Sequence, residues 1–116
     1  MDAFDYLTLA IRDLYDSGSF SIMSAPLAIL AAFFDRLGYY EPAATISRFA
    51  STSFSRTSFP QINTTITHLR EVLGDEVYES LAQAGDTMTT AAMATYAYDQ
   101  IDRARAELDA VSNRPE

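Results

Sequence analysis

The residues able to do chemistry in this chain are few: one histidine, His68, no cysteine, and eight basic residues that are all arginine. His68 lies two positions after Ile66 and one before Leu69, beside an apolar stripe, with no serine–acid or cysteine pattern around it that would make it a general base. It is therefore read as a surface or satisfied residue. The carboxylates Glu71, Asp75, Glu76 and Glu79 cluster where one helix should end and another begin, a place that favours acids through the helix dipole, and their spacing is not that of a calcium loop. Asp99 and Asp102 share a helical face at i, i+3, but Arg103 and Arg105 follow within the same turns, which makes a solvated charged face of them. Gly18, Gly38, Gly74 and Gly85 are isolated, and no lysine is present to reach a phosphate, so no nucleotide loop is expected. The expectation is a non-catalytic chain with no metal and no cofactor. Its rival is a small helical enzyme with a carboxylate site near Glu76 and Asp99, which would need a deep polar cleft. Four aromatics outside the clearest buried stripes, Tyr39, Phe54, Phe59 and Tyr96, are the candidate anchors for a partner.

Hydrophobic periodicity defines the helices that carry these residues. Phe4, Leu7, Ile11 and Leu14 recur at helical spacing and stop at the breaker cluster Ser17-Gly18-Ser19. Pro26 predicts the first turn of a second helix, with Leu27, Ile29, Leu30, Phe33 and Phe34 apolar on nearly every side, so this helix should lie at the centre of the fold. Gly38 closes it and Glu41-Pro42 opens a third helix antiparallel to it. Residues 51–58, rich in serine and threonine, read as a loop and a possible hinge. A fourth helix is expected from Pro60, with Ile62, Ile66, Leu69 and Leu73 on one face and Gly74 at its end. A fifth is expected from Asp75, with Val77, Tyr78 and Leu81, ending at Gly85. Asp86 or Thr87 should cap a sixth, whose buried stripe runs Ala94, Ala97 or Tyr98, Ile101, Ala104, Leu108 and Val111.

The expected fold is all-α, a six-helix antiparallel array forming one domain over residues 1–112, with residues 113–116 frayed. Its core should include Leu27, Leu30, Phe34, Ile46, Ile66, Leu69, Leu81 and Ile101. Leu37-Gly38 recurs as Leu73-Gly74, 36 residues on, which points to a short tetratricopeptide-like α-solenoid; the drifted second unit leaves an irregular helical bundle open.

The 116 residues are 48% hydrophobic, enough for a core without disulfides or metal, and the net charge of −8 opposes direct nucleic-acid or anionic-membrane binding. The longest apolar run, residues 25–34, is about half the ~20 residues needed to span a bilayer. Absence of cysteine and of a signal-like amino terminus suggests the cytoplasm.

Beyond periodicity, "FFDRLGYYEPAATI" followed by "HLREVLGDEVYESLAQAGDTMTTAAMATYAYDQIDRARAEL" resembles the carboxy-terminal helical segment of large mycobacterial signalling regulators. Those proteins set a cyclase-like or LuxR-type output region beside a STAND-type ATPase and a tetratricopeptide-like tail. The resemblance covers residues 27–111 and is most specific over 74–108. It implies a regulatory or interaction role, sensing or autoinhibitory, with a protein partner or the adjacent ATPase domain as the thing bound. It carries over no catalytic residue. A homodimer is a further expectation, since an isolated two-unit piece must cover its outer apolar faces.

Overall fold

The computed structural model describes residues 3–51, 57 and 59–112. The expected hinge at 51–58, with Phe54 inside it, and the expected frayed tail at 113–116 therefore lie essentially outside the described residues, as does the side chain of Val111. Among the described residues there are six helices and no strand: α1 (Ala3–Asp16), α2 (Phe20–Leu37), α3 (Tyr40–Ala50), α4 (Gln61–Leu73), α5 (Asp75–Asp86) and α6 (Thr90–Ser112). None of them is long and apolar enough to cross a membrane.

α1 buries the stripe expected of it, Phe4, Leu7 and Ile11, and docks on α2, where the Phe4 ring lies 5.7 Å from Phe33 and 6.0 Å from Phe34. α2 begins at Phe20, six residues before the expected start, so Pro26 sits inside the helix and not in its first turn. A proline there deprives the Ile22 carbonyl of its N–H partner. Pro26 is itself buried, and the helix runs on through it to Leu37. Further along, Leu27, Leu30 and Phe34 are fully buried against α1, α3 and α4.

The turn between α2 and α3 is a complete C-terminal lock. Gly38 adopts φ 86°, ψ 9°, its N–H bonds the Asp35 carbonyl, and the Tyr39 N–H reaches back to Phe34 at 2.8 Å. Tyr39 then sets its ring edge-on to Phe34 at 6.1 Å, the hydrophobic contact that accompanies such a lock.

α3 shares the central place with α2. Its residues Ala43, Ala44, Thr45, Ile46, Ser47 and Ala50 are buried on several faces, and it meets α2, α4, α5 and α6. Small side chains allow this, because each neighbour can approach the backbone closely. The closest approach is Gly85 of α5, where a β-carbon would stand 2.7 Å from the Thr45 carbonyl carbon and closer still to its oxygen. Gly85 lies one residue before the end of α5 at Asp86, and it makes the crossing with α3 possible.

α4 buries Ile62, Thr65 and Leu69, and α5 buries Tyr78, Ala82 and Gly85. Ile66 and Leu81, expected in the core, are half-buried, while Val77 is 48% exposed. Val77 lies one position from Tyr78, and only Tyr78 faces α3. α6 is capped by Thr89, whose hydroxyl accepts the Ala92 N–H at 3.1 Å, in place of Asp86 or Thr87. It buries Met93, Ala94, Ala97, Ile101 and Ala104, leaving Leu108 38% exposed. α6 meets α1, with Arg105 paired to Asp5, and also α3, so the first and last helices touch. Repeats of an open solenoid contact only their sequence neighbours; this contact is a feature of a closed bundle.

Candidate functional site

Three surface features gather chemistry, and the one richest in charge is the seam of α3, α4 and α5. Arg48 from α3 and Arg70 from α4 each donate to a different oxygen of the Glu79 carboxylate on α5, Arg48 at 2.7 Å. Arg70 also stands 3.5 Å from Asp75. Both guanidiniums lie over the Tyr78 ring, 4.5 Å from its centroid for Arg70 and 5.9 Å for Arg48. Ser47 donates its only hydroxyl proton to the Ala44 carbonyl at 2.8 Å, so the Tyr78 hydroxyl, 3.0 Å away, must be the donor to Ser47. The tyrosine, 1% exposed, is therefore fixed in position beneath the two cations. Hydrogen bonds from Arg48 and then Arg70 hold the Glu79 carboxyl below the usual range, and the bond to Glu79 raises Arg70. A small pocket of about 190 Å³ opens beside them, lined by Arg48, Ser51, Ile66, Arg70 and Tyr78.

The second feature is a polar groove of about 300 Å³ between α2 and α4 that includes Asp35, Arg36, Gln61, Thr64 and His68. His68 Nδ1 lies 2.7 Å from Asp35 Oδ1, and the Tyr40 ring meets the imidazole edge-on at 6.0 Å. With Nδ1–H donating to the carboxylate, the neutral ring keeps Nε2 as an acceptor. The sequence offered no sign of this partner, because Asp35 is 33 residues away.

The third is an open, mainly apolar groove of about 480 Å³ on the first half of α6, lined by Met88, Ala91, Ala92, Thr95, Tyr96 and Asp99. Tyr96, one of the candidate anchors, is half-buried there. Burial raises its hydroxyl pKa, while a hydrogen bond with Thr45 works the other way. Tyr39 lines a different groove with Tyr40, Pro42 and Leu73. The nearby Glu107 carboxylate, as the main influence, keeps its phenol protonated to higher pH. Phe59 packs, half-buried, against the core. Tyr39 and Tyr96 therefore mark two separate places near α6, and Phe54 is outside the described residues.

Glu76 and Asp99 are both exposed on different helices, and only Asp99 lines the α6 groove. Among the described residues no group of three histidine, aspartate or glutamate side chains could hold a metal. Comparison of the chain with protein-family models, with curated proteins and with solved structures finds no match.

Proposed function

We propose that the chain is a non-catalytic helical interaction module that receives an amphipathic helix of a protein partner in the groove on α6. The observation behind this reading is the groove itself: a helix 23 residues long presents exposed Ala91, Ala92 and Thr95 beside the half-buried rings and chains of Tyr96 and Met88. Small residues let a partner backbone come close, and a half-buried tyrosine supplies rigid contact area.

Charge selects the occupant. Asp99 lines the groove, Asp86 is exposed two residues before Met88, and the chain carries −8 overall, so a basic helix is attracted where a second copy of this chain is repelled. The resemblance to STAND-type ATPase regulators supplies the finer reading, a cytoplasmic sensing or autoinhibitory tail whose partner is the adjacent ATPase domain. Exposure of the groove is compatible with that role.

The test uses a synthetic amphipathic helix with leucines at i, i+3, i+4 and i+7 flanked by arginines. A fluorophore on Ala92→Cys, the only cysteine in such a variant, should report saturable binding that a scrambled peptide of equal composition does not reproduce and that adding Thr95→Glu and Tyr96→Ala abolishes. Equal response to the scrambled peptide would refute the reading. Sedimentation over a hundredfold dilution tests the second copy: the homodimer stands only if the mass rises above 12.8 kDa with concentration.

A further inference from the structure

We infer that the pocket beside Arg48, Arg70 and Tyr78 is a binding site for a compact phosphate-type oxyanion. This pocket is separate from the α6 groove. Two arginines of a chain with only eight basic residues converge on one pocket, and no acid is among the residues that line it. Arginine suits this task, because its planar fork offers five donors and matches phosphate oxygens two at a time.

The spacing of the two cations is already set for an oxyanion. Glu79 demonstrates it by offering one carboxylate oxygen to each guanidinium, so the pair brackets a group of this width and charge. That carboxylate engages a single terminal nitrogen on each arginine, and Asp75 stands 3.5 Å from the other terminal nitrogen of Arg70, so the donors outside these two carboxylate contacts are Arg48 Nη1 and the Nε–H of each fork. The cations are also held in position. Each lies against the ring of Tyr78, itself locked through Ser47 to the α3 backbone, so little side-chain freedom is left to lose when a ligand arrives.

Size limits the ligand. At about 190 Å³ the pocket falls below the ~300 Å³ at which sites for larger organic ligands begin, which suits a phosphate group and little more. Free phosphate and the phosphate of a small phosphomonoester present the same oxygens. In this reading Glu79 is the resident competitor. It neutralises the arginines when the pocket is empty and lowers affinity for an incoming anion.

That competition makes the proposal separable from a purely structural tie between three helices. The experiment is a titration with inorganic phosphate and, separately, O-phosphoserine, at constant ionic strength set with chloride, read from the Arg48 and Arg70 side-chain Nε–H signals by NMR. The expected result is saturable shifts confined to those two arginines. Arg48→Gln or Arg70→Gln should weaken binding about tenfold to a hundredfold, the loss of one charge-assisted hydrogen bond. Glu79→Gln, which keeps both cations, should tighten it. Equal affinity for the two ligands assigns the site to the free ion, and tighter phosphoserine binding assigns it to a phosphomonoester. No saturable shift, shifts that survive in the Arg48→Gln/Arg70→Gln double variant, or weaker binding in Glu79→Gln would each overturn the proposal. Helicity measured by circular dichroism identifies any arginine variant that has lost its fold, and Glu79→Gln then decides alone.

Discussion

The two Leu-Gly joints, 36 residues apart, show how the same dipeptide serves two different constructions. At Leu37-Gly38 the glycine is left-handed, φ 86° and ψ 9°, and a second residue, Tyr39, precedes α3. At Leu73-Gly74 the φ is nearly the same, 85°, but ψ is 152°, and Gly74 alone separates α4 from α5. The first joint is closed by backbone hydrogen bonds and the Tyr39 ring on Phe34, all local. The second hairpin is held by contacts its own sequence does not contain: Gly85 under Thr45, Tyr78 on Ser47, and Glu79 on Arg48. One joint is apolar and closed by its own residues, whereas the hairpin at the other is a polar seam completed by α3.

Four measurements test that contrast. The largest effect belongs to the apolar side, where Phe34→Ala should lower stability by about 3 to 5 kcal/mol in chemical denaturation, because it empties a fully buried aromatic site. A loss under about 1 kcal/mol would show that Phe34 is not central.

On the seam, Gly85→Ala should destabilise by about 3 kcal/mol, at the upper end for overpacking, since the added methyl meets backbone that can yield only by separating α3 from α5. An unchanged denaturation midpoint would mean the two helices do not cross so closely.

The joints themselves rank next. Neither glycine has an atom within 4 Å of an added β-carbon, so alanine there reports backbone strain alone. Gly38→Ala should cost about 1 to 2 kcal/mol, the ordinary left-handed penalty. Gly74→Ala should cost about 2 to 3 kcal/mol, because its extended positive-φ conformation is nearly closed to other residues. Thermal melts showing the reverse order would refute the distinction drawn between the joints.

The smallest effect is the pH response of Glu79. Its folded carboxyl lies below the usual range because Arg48 and Arg70 bond the charged form. The unfolded chain binds the proton first as pH falls, so the stabilisation is complete above the unfolded value of about 4.3 and disappears as pH drops through the lower folded value. The stability difference between wild type and Glu79→Gln should accordingly shrink from pH 6 to pH 3. A difference constant over that range would mean that Glu79 makes no charge-dependent tie.

Most of the helices were legible because their signals are local. The spacing of Phe4, Leu7 and Ile11 defines α1, Gly38 marks the end of α2, and Ile62 with Leu69 marks the buried face of α4. Pro26 misled because the helix begins six residues before it, so the proline falls inside the helix and removes only one backbone bond, to the Ile22 carbonyl. Gly85 does stand within one residue of the end of α5, but its packing role was not legible: the backbone of Thr45, 40 positions earlier, leaves a β-carbon no room unless the helices shift.

The candidate sites were less legible than the fold. Tyr96 could be chosen from sequence as an aromatic off the main stripe, but nothing in sequence pairs His68 with Asp35 or brings Arg48 and Arg70 to one carboxylate. By itself the sequence determined the all-α class, the joints near Gly38 and Gly74, and most of the apolar core, because helix periodicity and glycine backbone preferences act over a few residues. The tertiary structure decided that α3 shares the centre, that α1 touches α6, and that two distant arginines face one pocket. Those outcomes depend on how closely small side chains let helices cross, and that distance is set by the partner surface as much as by the residues themselves.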